Sequence, residues 1–205
     1  MLWNTGVGWI LLALAVWGWV HSILASLSFK DWVRRRWSAA ADRYYRFVYN
    51  AFAVVSFLPV LALVGLLSDR AIYALPFPWS LLGLALQGAA VVGLLVSVSY
   101  TGGARFLGLA QLFSPDPAPP RLVTAGPYRY VRHPLYSLGL LFLWALPVMT
   151  WNTLAFNLGA SLYLVVGALF EERKLLREFG AEYVRYRRRT PMLVPGLRLP
   201  GQRPE

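Results

Sequence analysis

Long apolar runs without any charge dominate the pattern of this chain. No Asp, Glu, Lys or Arg occurs in residues 1–29, 47–68, 71–104 and 134–170. A helix needs about 20 mainly apolar residues to cross a bilayer, so each run can cross once and the last can cross twice. The pattern predicts five transmembrane helices, the last two forming a hairpin, at residues 6–27, 48–67, 79–100, 134–149 and 153–170.

The overall composition excludes an ordinary soluble domain. The chain has 205 residues, of which 58% are hydrophobic and 14% charged, and its mean hydropathy is +0.50. Soluble domains are about a quarter charged. We therefore predict an all-α integral membrane protein in which residues 1–205 form a single transmembrane domain. Residues 1–100 hold three spans, and residues 101–205 form the cofactor-binding catalytic half. There is no cysteine, which excludes a thiolate nucleophile, and we predict no metal site.

The net charge of +11 can be interpreted in two ways. A basic surface can bind nucleic acid, but here the basic residues stand in blocks beside the apolar runs, as the positive-inside rule requires of membrane proteins. If residues 29–46 are cytosolic, 19 of the 20 Lys and Arg residues lie on that side and only Arg70 lies opposite. The pattern predicts a cytosolic loop at 101–133, a cytosolic tail from Glu171, an N-terminus outside, and no nucleic acid partner.

The cytosolic loop ends in a dense group of aromatic and basic residues. Its middle part, SPDPAPP at 114–120, must be irregular, but GPYRYVRHPLY follows at 126–136. Pro134 disfavours helical geometry at His133 and suits the first position of a helix, so the fourth span should begin at Pro134. The N-terminus of a helix attracts anions. We expect this one to hold a carboxylate or phosphate of a cofactor, surrounded by Arg129, Arg132, His133 and Tyr136.

Two adjacent carboxylates, Glu171 and Glu172, directly follow the fifth span. A hairpin returns the chain to its starting surface, so we expect both beside His133. Neighbouring residues on a helix point about 100° apart, so one carboxylate can face a ligand while the other pairs with arginine. An amphipathic C-terminal helix that lies back over the pocket is predicted by apolar and aromatic residues at helical spacing, namely Leu175, Phe179, Tyr183 and Tyr186.

This combination of groups suits one kind of ligand. Cationic and aromatic residues on one side and carboxylates on the other fit a molecule with an anionic end, hydroxyl groups and a positive centre. S-adenosylmethionine has a carboxylate, ribose hydroxyls and a sulfonium that aromatic rings stabilise. We predict it as the cofactor.

The motif at 126–136, followed by EERKLLREFGAEYVRYRRRTPMLVP at 171–195, resembles the signature of the membrane-embedded methyltransferases related to isoprenylcysteine carboxyl methyltransferase and phospholipid N-methyltransferase. The resemblance implies a helical membrane core that binds S-adenosylmethionine on the cytosolic side, under the C-terminal segment, while a lipophilic acceptor enters from the bilayer. It further implies that His133, Tyr136 and Glu172 contact the cofactor, supported by Tyr128, Arg132 and Glu171.

Two short sequences in the N-terminal half narrow this resemblance. VHSILAS at 20–26 and FLGLAQL at 106–112 resemble the bacterial branch that contains methanethiol S-methyltransferase and NnrU-like proteins. This favours a small thiol acceptor and the bacterial inner membrane. The predicted catalytic residues are Arg132 and Glu172. The predicted cofactor-binding residues are Tyr128, Arg129, His133, Tyr136, Glu171 and Glu172.

Other functions remain open at this point. The acceptor can instead be a phospholipid amine or an isoprenylcysteine carboxylate. From other classes, the chain can be a non-catalytic NnrU-like accessory protein or a reductase that uses a nicotinamide cofactor.

Several polar and small residues have a structural interpretation. His21 and Gln87 lie inside predicted spans, where they serve function or, as we favour, satisfy hydrogen bonds between helices. Gly83, Gly88 and Gly93 favour close helix packing. The basic run at 185–189 is typical of contact with anionic membrane lipid.

Overall fold

The computed structural model describes residues 6–113 and 121–197, without the side chains of residues 39, 40, 42, 105 and 106. The stretch at 114–120 that was predicted to be irregular lies outside these ranges. Two short strands, which the apolar pattern did not predict, pair with each other. The elements in the described ranges are α1 (Val7–Ala25), α2 (Leu27–Leu66), β1 (Ala71–Ala74), α3 (Trp79–Tyr100), α4 (Gly103–Leu107), α5 (Leu109–Phe113), α6 (Pro134–Trp144), β2 (Val148–Thr150) and α7 (Trp151–Arg189).

Four of the described helices are long and apolar enough to cross a membrane. They are α1, α3, α7 and the Arg43–Leu66 part of α2. The apolar part of α7 ends at Phe170, and 11 of the next 19 residues, up to Arg189, are charged. This charged end of α7 therefore lies outside the span. The prediction of an all-α integral membrane protein is confirmed.

The fourth predicted span begins where expected but is shorter than expected. Helix α6 starts at Pro134, with His133 as its N-cap, and ends at Trp144 instead of residue 149. Its 11 residues rise about 16 Å, which is less than the hydrocarbon thickness of about 30 Å. Pro147 accounts for the early end, since proline lacks an N–H and disfavours helical geometry in the preceding residue.

One compact unit contains α1, α2, α4, α5 and the first ten residues of α7. Its core forms where α1 packs on α2, around Ile10, Leu14 and Val60. Polar side chains inside these helices are paired across the same contact: the Tyr49 hydroxyl lies 2.7 Å from His21 Nε2. The structure thus supports the interhelical interpretation of His21.

A second compact unit contains α3, α6, the rest of α7 and the described residues 121–133 and 190–197. A Cβ at Gly83 would lie 2.9 Å from the carbonyl oxygen of Ala145, and one at Gly93 would lie 2.9 Å from Leu138 Cδ2, so close packing is confirmed at both glycines. Gln87 Nε2 donates to the carbonyl of Phe142 at 3.1 Å, again between α3 and α6. The single-domain organisation of the chain stays a prediction.

Helix α6 also lies beside the second part of α7. The indole Nε1 of Trp144 donates to Ser161 Oγ at 2.9 Å. Leu164 Cδ1 lies 3.7 Å from the Cβ position of Gly139. These contacts place the start of α6 near the charged end of α7, where the predicted site residues are found.

Substitution of alanine at two glycines of α3 tests this packing. We expect Gly83→Ala to lower the free energy of unfolding by about 1–3 kcal/mol, because the new methyl group meets backbone that cannot move aside. Among the described residues, no heavy atom beyond its own helix backbone and chain neighbours lies within 4 Å of the Cβ position of Gly88, so Gly88→Ala should be neutral or stabilising by up to about 1 kcal/mol. Thermal unfolding in detergent measures both, and equal shifts would contradict the packing.

Candidate active site

A short 3-10 turn, Gly126–Arg129, opens the motif at residues 126–136 of the loop and depends on its glycine. Gly126 has φ +60°, and a Cβ there would collide with the ring of Tyr100. Only glycine adopts this conformation without strain and leaves room for the ring. The turn leaves Tyr128 partly buried and Arg129 exposed.

The centre of the site is a buried ion pair between Arg132 and Glu172. Arg132 Nε donates to Glu172 Oε1 at 2.7 Å, and Nη2 donates to Oε2 at 3.0 Å. The two residues are 3% and 8% exposed. Such a bidentate pair is strong and directional, and it joins the loop to the charged end of α7 across 40 residues of sequence.

His133 lies between the two carboxylates. Its Nε2 is 2.9 Å from Glu172 Oε1, and its Nδ1 is 3.6 Å from Glu171 Oε2. The Tyr136 ring stacks on the imidazole with 5.5 Å between centroids, and its hydroxyl donates to Glu171 Oε2 at 2.8 Å. Helix α6 and the end of α7 therefore hold the histidine from opposite sides.

The segment after α7 closes over these residues. The backbone N–H groups of Arg132 and His133 donate to the carbonyls of Pro191 and Met192 at 2.9 and 3.1 Å. Arg132 Nη1 donates to the carbonyl of Thr190 at 2.5 Å. The predicted amphipathic C-terminal helix is present and folds back onto the motif, with a break at Gly180, where φ is +51°.

Tyr183 completes the cluster and was not among the predicted site residues. Its side chain is fully buried, and its hydroxyl donates to Glu172 Oε1 at 2.5 Å. The sequence analysis used Tyr183 only as part of an apolar face. Its spacing of 11 residues from Glu172, about three helical turns, would put both on one side of an unbroken helix but about 16 Å apart along it. Their contact therefore depends on the break at Gly180.

The structure brings most predicted site residues together. Hydrogen bonds or ion pairs join the side chains of Arg132, His133, Tyr136, Glu171 and Glu172. Tyr128 is linked through its carbonyl, which accepts a hydrogen bond from the Tyr186 hydroxyl at 2.6 Å. Arg129 makes no side-chain hydrogen bond or ion pair with them in the part of the chain that is described.

The two carboxylates differ in a way that the sequence did not determine. Glu172 is the one that pairs with arginine, whereas the side chain of Glu171 is 44% exposed. The nitrogens of Arg132 all bond to protein acceptors, namely Glu172 and the carbonyls of Arg187 and Thr190. The ligand-binding and catalytic roles of these residues stay predictions.

The charges of the cluster are fixed by its hydrogen bonds. Burial would lower the pKa of His133, but the hydrogen bonds and charges of Glu171 and Glu172 outweigh it and raise the pKa above its usual value. Burial would raise the pKa of Glu172, yet hydrogen bonds from His133, Arg132 and Tyr183 hold it at about 2. Burial and the charge of Glu171 raise the pKa of Tyr128 to about 12. These hydrogen bonds favour the charged forms of His133 and Glu172, and the phenol of Tyr128 keeps its proton.

The long apolar helices mark an integral membrane protein, and the polar cluster lies next to the end of the apolar part of α7. Residues 79–182, just over half of the chain, match the family model described as phospholipid methyltransferase. The chain belongs to this family of membrane methyltransferases. The match includes the Arg132–His133 motif and both glutamates.

Curated relatives extend the similarity over nearly the whole chain. Methanethiol S-methyltransferase 2 of Bradyrhizobium diazoefficiens is 34% identical over 91% of this chain and 72% of its own length. Methanethiol S-methyltransferase 1 of the same organism is 31% identical over 92% and 66%. Methanethiol S-methyltransferase of Crocosphaera subtropica is 29% identical over 89% and 72%. No solved structure matches the chain.

Removal of the Glu172 charge tests the central pair. In Glu172→Gln, the guanidinium of Arg132 stays buried without its counter-charge, so we expect the free energy of unfolding to fall by about 3–5 kcal/mol. Glu178→Gln, an exposed change on the same helix, should stay within about 0.5 kcal/mol of the wild type. Unfolding by SDS in mixed micelles measures both. Equal stabilities of the two variants would show that the pair does not hold the site.

The raised pKa of His133 predicts a dependence of stability on pH. A histidine that binds its proton more tightly in the folded protein stabilises the fold. This contribution is complete below the pKa in the unfolded chain, about 6.5, and is lost as the pH rises through the pKa in the folded protein. We expect the free energy of unfolding to fall over this range in the wild type and to be flatter in His133→Gln. The only other histidine is His21. Thermal unfolding of both proteins between pH 6 and 9 measures this difference. Parallel curves of stability against pH would contradict a raised pKa at His133.

Proposed function

We propose that this chain transfers the methyl group of S-adenosylmethionine to a small thiol. Three of its relatives are named methanethiol S-methyltransferases, which supports the thiol as acceptor. The supporting observation is the reach of the similarity, which covers 89–92% of this chain in these three relatives. The family match alone covers only residues 79–182. The relatives therefore also resemble the N-terminal helices, on which a choice of acceptor can depend.

Several groups of the site suit the proposed cofactor. Glu171 and Tyr136 offer a carboxylate and a phenol to ribose hydroxyls, and the exposed guanidinium of Arg129, with the buried ring of His133 nearby, suits a carboxylate. Tyr128 is partly buried beside them and supplies an aromatic face for a sulfonium. The buried pair of Arg132 and Glu172, predicted as catalytic, would act through His133 in this arrangement.

The cofactor would supply an electrophilic methyl carbon. The acceptor sulfur would bond to this carbon as the carbon–sulfonium bond breaks, giving a methyl thioether and S-adenosylhomocysteine. The thiol proton would pass to the solvent. The chain needs to provide alignment and to exclude water, with little covalent help. A site fixed by a buried ion pair and by backbone hydrogen bonds is suited to that task.

The charge pattern supports a location for this reaction. In the predicted topology, 19 of the 20 basic residues lie on the side of the loop and the tail, and by the positive-inside rule this supports a site at the cytosolic face. We propose a bacterial inner membrane, with a lipophilic or membrane-permeant acceptor that approaches through the bilayer and with anionic lipid near residues 185–189.

A second acceptor is favoured by the family description. The matching model is named for phospholipid methylation, so a phospholipid amine is the alternative to a thiol. An isoprenylcysteine carboxylate follows from the resemblance of the motifs. All three acceptors use the same donor and therefore share one assay.

Transfer of labelled methyl tests the proposal. Purified protein is incubated with methyl-labelled S-adenosylmethionine and, separately, methanethiol, phosphatidylethanolamine or a prenylcysteine, and we expect label in the thiol product. Glu171→Gln should weaken cofactor binding about tenfold or more, since it loses a charged hydrogen-bond partner, while Glu178→Gln serves as the matched control. Absence of cofactor binding by the wild type would contradict a methyltransferase, and binding without transfer to any acceptor would favour an accessory protein.

A further inference from the structure

One oxygen of Glu172 receives more donors than it has lone pairs. Oε1 lies 2.7 Å from Arg132 Nε, 2.9 Å from His133 Nε2 and 2.5 Å from the Tyr183 hydroxyl. A carboxylate oxygen offers about two lone-pair sites. The three donors therefore share its charge, and a stronger hydrogen bond from one of them weakens the hydrogen bonds from the other two.

Tyr183 is a permanent member of this set. Its side chain is fully buried, and burial together with the charge of Glu172 raises its pKa far above the usual value for tyrosine. The phenol therefore stays a neutral donor over the working range of pH. It cannot turn towards water, because its ring is enclosed on all sides.

We infer that Tyr183 is a positioning residue of the cofactor site: by sharing Glu172 Oε1, its hydroxyl limits the hold of that oxygen on the His133 ring and thereby sets the orientation and charge of the ring. The inference rests on the proposed function, in which His133 faces the carboxylate of the cofactor. It also extends the site, because Tyr183 lies beyond the family match, which ends at residue 182.

Charged and titratable groups from every neighbouring element surround this histidine. They come from the loop, from α6, from the end of α7 and from the part of α7 after the break at Gly180. Tyr183 and Arg187 belong to the part after the break, and Arg187 Nε is 3.7 Å from the other oxygen of Glu172, Oε2. The groups are Arg132, Tyr136, Glu171, Glu172, Tyr183 and Arg187.

The neighbouring Tyr186 provides a matched control. Its ring packs edge-on to that of Tyr183, with 6.0 Å between centroids. Its hydroxyl also ties the C-terminal helix to the loop, but it donates to the carbonyl of Tyr128 rather than to Glu172. Loss of either hydroxyl removes one tie, whereas only loss of the Tyr183 hydroxyl changes the donors of Glu172.

The experiment follows the His133 ring by NMR and S-adenosylhomocysteine binding by calorimetry, both against pH, in full-length protein in nanodiscs. In Tyr183→Phe we expect the ring's affinity for a proton to rise about threefold or more, because Glu172 has one donor fewer and holds the imidazolium more tightly. The pH at which binding changes should move upward with it. Tyr186→Phe should leave both midpoints at their wild-type positions.

A second substitution guards against misfolding of the phenylalanine variant. Site-specific replacement of Tyr183 by 3-fluorotyrosine keeps the ring and makes its hydroxyl a stronger donor, so the His133 midpoint should move downward. Unchanged midpoints in both Tyr183 variants, or equal shifts in Tyr186→Phe, would overturn the inference. If the wild type binds no S-adenosyl ligand, the proposed function fails, and the inference fails with it. A His133 titration that still shifts in the Tyr183 variants would then show only a structural link between Tyr183 and His133.

Discussion

Glu172 carries a full negative charge at a position that is only 8% exposed. An ionised carboxylate removed from water is costly unless close partners replace the lost hydration. Here the partners are Arg132, His133 and Tyr183, with Arg187 at longer range. Arg132 and His133 are 40 and 39 residues away in sequence, and Tyr183 and Arg187 follow the break at Gly180. The loop, α7 and the part of α7 beyond Gly180 therefore have to assemble together before the charge is satisfied. The site is therefore a consequence of folding around one carboxylate.

The same constraint explains why the C-terminal segment lies where it does. The guanidinium of Arg132 has donors left after it binds Glu172, and the carbonyls of Arg187 and Thr190 accept from them. The backbone of residues 191–192 then pairs with residues 132–133. Each bond contributes only about 1 kcal/mol on its own, but all depend on the same arrangement. Removal of the central charge should loosen the set as a unit.

Much of this could be predicted from the sequence because the relevant rules are local. Apolar runs predict spans by length, and Pro134 marks the start of α6 by its own geometry. The early end of α6 was missed because the run stays apolar past Pro147, and hydropathy does not register a missing N–H. The exposure of Glu171 and Glu172 could not be predicted either, because adjacent helical residues are equivalent until the partners around the helix are known. Tyr183 was assigned to an apolar face because its ring is apolar, although its hydroxyl donates to Glu172.

The adjacency of the two glutamates allows one turn of helix to serve two purposes. Their side chains point about 100° apart, so Glu172 faces inward to the arginine while Glu171 remains 44% exposed at the surface of the site. His133 touches both, through Nε2 and Nδ1 respectively. The buried carboxylate thus holds the ring from one side, and under the proposed function the more exposed one would bind the cofactor beside it. A single glutamate could not do both, because the hydrogen bonds that make it a good anchor use the oxygens that a ligand would need.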